Sequence, residues 1–143
     1  MKKFKSKFGF ELFIFLSFIF GSIIGFMFYQ NEALQTILSV GGIFLLVYAQ
    51  LLYLHFSTSY LISEDGTLHI RMGLFYKKTI NIASIVSVSK TNSLLSAPAP
   101  SLDRIELIYG KNDSLVISPK EKVKFVHELQ RINSEIKSSG LSY

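Results

Sequence analysis

Residues 12–54 read LFIFLSFIFGSIIGFMFYQNEALQTILSVGGIFLLVYAQLLYL, and this stretch decides how the chain is organised. It contains two apolar runs, residues 12–29 and 34–54, with Gln30, Asn31 and Glu32 between them. Neither run carries a charge, and at about 1.5 Å of rise per residue each helix would cross most or all of a roughly 30 Å hydrocarbon core. Because lipid leaves no water to pair with backbone groups, the stretch predicts a hairpin of two transmembrane helices.

The charges on either side of the hairpin predict its orientation. Lys2, Lys3, Lys5 and Lys7 precede it, whereas the link between the runs carries Glu32 and no Lys or Arg. The positive-inside rule therefore predicts a multi-pass protein of the plasma membrane with both termini in the cytoplasm. A cleaved signal peptide is the disfavoured alternative, because the first run ends in bulky residues and a second run follows within five residues.

Three glycines within the runs are candidate helix-packing residues: Gly21, Gly25 and Gly42. Gly21 and Gly25 form a small-x-x-x-small pattern, which permits close approach of two helices. Folding the hairpin about its link brings Gly21 level with Gly42, so we expect a close contact inside the hairpin. The alternative is self-association through the Gly21/Gly25 face. Neither run contains an ionisable residue, which favours an anchor over a transporter.

The rest of the chain is long enough for one small domain. We divide the sequence into a basic leader (1–11), the hairpin (12–56), a domain (57–138) and a tail (139–143). From residue 57 onward, eleven Lys and Arg stand against eight Asp and Glu, too small an excess to indicate nucleic-acid binding. The chain has no cysteine, which excludes disulfides and thiolate catalysis.

After the hairpin the apolar pattern changes to alternation, which is typical of strands. Asp65-Gly66 between two such runs indicates a β-hairpin. The predicted strands are Ser59–Ile62, Thr67–Met72, residues 74–80, residues 82–91, Arg104–Tyr109 and residues 114–117. The longest irregular stretch, residues 92–103, holds two of the three prolines.

A helix is predicted to follow the last strand. Ser118 is the expected N-cap, Pro119 suits the first helical position, and Glu121 completes a capping box. An apolar stripe follows at helical spacing and continues towards Gly140: Val123, Val126, Leu129, Ile132 and Ile136. The predicted fold is therefore α+β, with the hairpin followed by a small antiparallel β-barrel or sandwich that a C-terminal α-helix covers.

The order of these elements is that of a pleckstrin-homology (PH)-like domain. The stretch SAPAPSLDRI (residues 96–105), the later Ile117-Ser118-Pro119, and Phe125, Leu129 and Asn133 resemble a family of bacterial PH-like domains (YyaB-like), short membrane-anchored proteins. The resemblance covers roughly residues 56–136. Ser134 departs from it, because proline is expected after Asn133. The resemblance implies the fold and offers no catalytic residues.

The sequence shows no pattern typical of an active site. His55, His69 and His127 are scattered and have no metal-ligand spacing, and there is no Gly-x-Ser-x-Gly motif and no Gly-rich phosphate loop. We therefore predict a non-enzymatic protein without cofactor or metal.

The candidate contacts for an anionic headgroup are Lys77, Lys78, Lys90 and Arg104. Asp103 and Arg104 have a structural alternative, in which Asp103 ties the long loop to the strand and Arg104 makes a surface ion pair. The first hypothesis for function is protein–protein interaction at the cytoplasmic membrane face, as an accessory or regulatory subunit. The second is recognition of anionic lipid headgroups by the domain. A clustered pocket of Lys and Arg at one barrel mouth would favour lipid, whereas an exposed apolar groove or a free strand edge would favour a peptide partner.

Overall fold

The structure, a computed structural model, describes residues 1–93 and 101–141. Most of the predicted irregular stretch, and residues 96–100 of the family resemblance, lie outside these ranges. The elements in chain order are β1 (Lys2–Lys5), α1 (Phe10–Tyr29), α2 (Leu34–Ser57), β2 (Ser59–Ile62), β3 (Thr67–Met72), β4 (Tyr76–Asn81), β5 (Ile85–Thr91), β6 (Arg104–Tyr109), β7 (Asp113–Ile117), α3 (Lys122–Ile132) and β8 (Lys137–Ser139).

The two apolar runs form α1 and α2, as predicted, and both helices are long and apolar enough to cross a membrane. Most of their side chains face outward, and Ile37 is buried. Phe20 stacks on Phe44 with ring centroids 3.9 Å apart. The hydroxyls of Ser17 and Tyr48 lie 2.6 Å apart and form a hydrogen bond between the helices. Aromatic stacking and one polar contact therefore hold the hairpin together.

The glycines do not form the close contact that we expected inside the hairpin. A Cβ atom added to Gly21, Gly25 or Gly42 would meet no neighbouring atom within 4 Å in the part of the chain that the structure describes. Stacked rings such as Phe20 and Phe44 fill the space between the helices, so the glycine backbones stay apart. Self-association of two copies through the Gly21/Gly25 face stays a prediction.

The domain is a sandwich of two four-stranded sheets rather than a closed barrel. The first sheet has the order β1-β2-β3-β4, and the second has the order β7-β6-β5-β8. Ser6 and Pro119 form an isolated bridge that joins the end of β1 to the chain after β7. The predicted strand over residues 82–91 begins instead with a 3-10 turn, Ile82–Ser84, because the Asn81 side chain accepts a hydrogen bond from the Ala83 N–H.

The residues that we assigned to a leader form a strand of the first sheet. Lys2–Lys5 pairs antiparallel with Ser59–Ile62, so the hairpin is an insertion between two neighbouring strands. Phe4 is buried and packs edge-on against Phe125, with ring centroids 5.2 Å apart. Phe4, the single apolar residue among the lysines of β1, therefore points into the core. The predicted domain, which starts at residue 57, does not include this strand.

The helix after the last strand begins later than predicted. Ser118 is fully buried and does not cap α3, which starts at Lys122. The Ser118 N–H donates to the Tyr60 hydroxyl at 3.1 Å, and the Ser118 and Ser6 hydroxyls lie 3.1 Å apart. Ser118 therefore closes the corner between the two sheets.

The C-terminal end of α3 also differs from the prediction. The helix ends at Ile132, because Asn133 is extended and donates to the carbonyls of Ile82 and Ile85. Residues Lys137–Ser139 then form β8, parallel to β5, so the strand extends into the expected tail. The predicted apolar stripe is confirmed at Val126 and Leu129, which are buried.

The core lies between the inner faces of the sheets and the apolar face of α3. Its fully buried members with the largest side chains are Tyr60, Phe125, Leu68, Ile70, Ile82, Ile105, Leu107, Ile117 and Leu129. Because strand side chains alternate between two faces, this inner set leaves the intervening residues on the outer faces of the sheets.

Candidate functional site

The outer face of the first sheet is strongly basic. Its cations are Lys3 and Lys5 on β1, Arg71 on β3 and Lys77 on β4, and all four are exposed. We call these four residues the basic face. The other outward residues of the same strands are Ser59, Leu61, Thr67, His69, Thr79 and Asn81. No carboxylate is among the outward residues of these four described strands.

Strand register brings three of the cations into one row. Lys5 pairs with Ser59, Ser59 pairs with Arg71, and Arg71 pairs with Lys77. Neighbouring strands lie about 4.8 Å apart, so the row spans three strand spacings, roughly 14 Å. Lys3 occupies the adjacent row, opposite Leu61.

The turn between β3 and β4 fixes this register. Gly73 has a φ of +64°, a left-handed conformation that glycine adopts without steric cost. The three-residue turn, residues 73–75, pairs Met72 with Tyr76, which places Arg71 directly opposite Lys77. Like charges in directly opposed positions destabilise an antiparallel pair. The fold therefore bears an electrostatic cost here that an anion would relieve.

The basic face adjoins the cytoplasmic end predicted for the hairpin. Ser59 follows the last residue of α2 by two positions, about 7 Å of extended chain. A groove of about 360 Å³ separates the basic face from the end of α2. Lys3, Lys5 and Arg71 line one side of it, and Tyr53 and Phe56 line the other. The row of cations is thus the part of the sheet nearest the apolar helices.

Within the described residues, Lys3, Lys5 and Lys77 have no ion pair, whereas Lys2 and Lys7 nearby are paired with Glu128 and Asp103. Arg71 donates from Nε to the Gly73 carbonyl at 3.4 Å. The nearby His69 is held between the hydroxyls of Thr67 and Thr79, at 3.1 and 3.0 Å. The ammonium groups of the basic face remain open to an anion.

The four cations named from the sequence do not come together. Lys77 belongs to the basic face, whereas Lys78 lies on the other side of β4, with its Nζ 5.1 Å from the ring centre of Tyr109. The hydrogen bond to Tyr109 raises the pKa of Lys78. Arg104 braces its own loop, donating from Nε to the Ser101 carbonyl at 2.6 Å and from its guanidinium to the Ser93 carbonyl at 2.9 Å.

A second cluster of cations surrounds Asp103. Its carboxylate accepts hydrogen bonds from Lys7 at 2.7 Å and from Lys122, so it joins the start of the hairpin to the start of α3. Burial, together with the charges of Lys7 and Lys90, lowers the pKa of Lys122 to about 8. Asp103 opposes that shift, because a carboxylate favours the charged amine. Lys90 lies on β5 of the second sheet and is therefore not part of the basic face.

Sequence reasoning missed Lys3, Lys5 and Arg71 as site residues. The two lysines fall within the predicted leader, and Arg71 falls within the predicted strand Thr67–Met72. The available signal was Lys3-Phe4-Lys5, an alternation of polar and apolar residues that is typical of an edge strand. The histidines remain scattered, and no group of three His, Asp or Glu in the described residues is placed to hold a metal ion.

Two antiparallel sheets followed by a C-terminal helix are the architecture of PH-like domains. A comparison with protein-family profiles matches residues 58–133 to the family described as Bacterial PH domain. The match covers more than half of the chain, so the chain belongs to this family, and the predicted resemblance is confirmed at the level of the bacterial PH-like domain. No curated protein and no solved structure gives a significant match. The matched range begins after the hairpin and excludes β1.

Proposed function

We propose that this protein is a non-catalytic, membrane-anchored PH module whose basic face binds anionic headgroups of the bilayer that holds its hairpin. The observation that supports this proposal is the row of Lys5, Arg71 and Lys77 at the end of the first sheet that lies next to the hairpin. Each Lys or Arg near an anionic membrane surface contributes about 1 kcal/mol of attraction. Binding a phosphate would also relieve the repulsion between Arg71 and Lys77.

The orientation of the chain supports this assignment. The positive-inside rule predicts that the lysines before α1 lie in the cytoplasm. Two crossings of the membrane, by α1 and α2, would return the chain to the same side. Both termini and the whole domain are then cytoplasmic, where the membrane leaflet carries the negative surface potential. The non-catalytic assignment is supported by the family, which is generally without catalytic activity.

The test is lipid retention by the full chain. The protein is solubilised from bilayers of equal parts phosphatidylcholine and phosphatidylglycerol, and native mass spectrometry counts the phospholipids that remain bound. We expect preferential retention of phosphatidylglycerol. The triple variant Lys5→Gln, Arg71→Gln, Lys77→Gln should lose this preference, because it removes the row of charges while leaving exposed polar side chains.

The matched control is Lys111→Gln, Lys124→Gln, Lys137→Gln, which removes three charges from exposed positions outside the basic face. It should retain phosphatidylglycerol as the parent chain does. Equal retention of both lipids by the parent chain would contradict the proposal. Equal loss of preference in both triple variants would show that net charge acts without a defined site, and would also contradict it.

Binding of a protein partner, as an accessory or regulatory subunit, is the second candidate function. The observation that favours it is β4, which ends the first sheet and pairs only with β3 among the described strands. An exposed edge can accept a strand from a peptide partner. Crosslinking from a photoreactive residue at Thr79, on β4, would capture such a partner in native membranes. A residue at Ser89, on β5, which has a partner strand on both sides, is the matched control position.

A further inference from the structure

Among the described residues of the domain, the most exposed large apolar side chain lies in the turn between β3 and β4. Phe75 is 98% exposed and its neighbour Leu74 is 64% exposed, so neither contributes to the core. Phe56 on the last turn of α2 is 78% exposed, and Tyr53 lies one turn earlier on the same helix. Single exposed apolar residues are ordinary on protein surfaces, but a group of them around one groove, as Tyr53, Phe56 and Leu74 are, indicates a contact surface.

The turn is packed against the end of the second apolar helix. A Cβ atom added to Gly73 would lie 3.5 Å from the Tyr53 ring and 3.7 Å from the Leu54 side chain. Leu54 is the last residue of the apolar run, so Leu74 and Phe75 lie at the level where the hairpin leaves the hydrocarbon. The same groove that contains Lys5 and Arg71 is lined by Tyr53, Phe56 and Leu74.

Apolar side chains at the level of a helix end, with cations directly behind them, match the boundary between acyl chains and anionic headgroups. Aromatic residues partition to this boundary, and Lys and Arg extend their charged ends into the headgroup layer. The surface is also continuous with α2, whose apolar side chains already face outward.

We infer that Leu74 and Phe75 insert into the acyl–headgroup boundary of the bilayer that holds the hairpin, and that this contact sets the tilt of the domain. The inference rests on the proposed function, because both require that the hairpin spans the membrane. It adds a third point of attachment beside the ends of α1 and α2. That attachment holds the basic face against the headgroups and restricts rotation of the domain about the chain links to the hairpin.

The composition of the chain permits a direct measurement of depth. The protein contains no tryptophan, so Phe75→Trp gives the full chain a single indole at the tip of the turn. Because Phe75 makes almost no contact with the domain, the substitution leaves the core unchanged. The variant is reconstituted into phosphatidylcholine nanodiscs, with and without lipids that carry bromine atoms on their acyl chains.

We expect the Phe75→Trp emission to be blue-shifted and to be quenched by the brominated lipids. Phe56→Trp, on α2, is the control for a residue at the membrane boundary, and quenching should be similar. Val86→Trp, on the outer face of the second sheet near the start of β5, is the control for an exposed apolar site away from the hairpin. Its emission should be that of a solvent-exposed indole, with little quenching.

Equal emission and equal quenching of Phe75→Trp and Val86→Trp would overturn the inference. As a second measurement, the absence of cysteine permits a single nitroxide at Phe75→Cys, whose accessibility to oxygen should exceed its accessibility to a water-soluble relaxation agent. The reverse order would also overturn it. Both measurements use zwitterionic lipid alone, so their failure is distinguishable from failure of the headgroup proposal, which depends on phosphatidylglycerol.

Discussion

The two sheets of the domain have similar inner faces and different outer faces. Both inner faces are apolar and buried, as Ile70 in the first sheet and Leu107 in the second illustrate. The outer face of the first sheet carries four cations, whereas that of the second includes Ser87, Ser89 and Glu106. Ser89 is paired with Glu106 in the second sheet, whereas Arg71 is paired with the like-charged Lys77 in the first.

This difference separates the requirement of folding from that of function. Any sandwich must bury two apolar faces, so the inner residues follow from the fold. The outer faces are free to differ, and a row of uncompensated cations on one sheet costs stability rather than adding to it. A feature that the fold does not need, placed beside the two apolar helices, is the part of the molecule that we connect with function.

The largest expected effect lies in the core that the two inner faces share. Leu129 on α3 is fully buried, and Leu129→Ala should lower the free energy of unfolding by about 2–5 kcal/mol through lost burial and a residual cavity. Lys124→Ala, on the exposed face of the same helix, should change it by less than about 0.5 kcal/mol. Pulse proteolysis of the full chain in micelles across a urea gradient measures both. Equal losses would show that α3 does not cover the core.

An intermediate effect is expected at the corner where the two sheets meet. Tyr60→Phe removes the acceptor of the fully buried Ser118 N–H, which should cost about 1–3 kcal/mol. Tyr29→Phe is the same chemical change at an 80% exposed position and should have little effect. The same urea titration compares the two variants. An unchanged midpoint for Tyr60→Phe would mean that Ser118 finds another acceptor.

The smallest expected effect on stability lies on the outer faces. Arg71→Ser with Lys77→Ser makes the first sheet resemble the second and removes a like-charge pair. In neutral micelles the free energy of unfolding should stay the same or rise by about 0.2–1 kcal/mol. The reciprocal control, Ser87→Lys with Ser89→Lys, should leave the free energy of unfolding almost unchanged. A loss as large as that of Tyr60→Phe would show that the basic face serves the fold, and would weaken its assignment as a binding surface.

The sequence by itself determined the elements that depend on local pattern. Uninterrupted apolar runs are sufficient for two long helices, because a helix satisfies its backbone groups within one segment. Alternation located β2 and β3, and Asp65-Gly66 located the turn between them. Helical spacing also predicted the buried stripe of α3 at Val126 and Leu129, because residues at that spacing share one face of a helix.

Only the tertiary structure decided the features that join distant parts of the chain. β1 pairs with β2 across the whole hairpin, and no local pattern reports a partner some 55 residues away. Ser118 has the sequence of an N-cap, yet burial between Ser6 and Tyr60 gives its groups other partners. The basic face combines β1, β3 and β4, so it exists only once strand register places Lys5, Arg71 and Lys77 in one row.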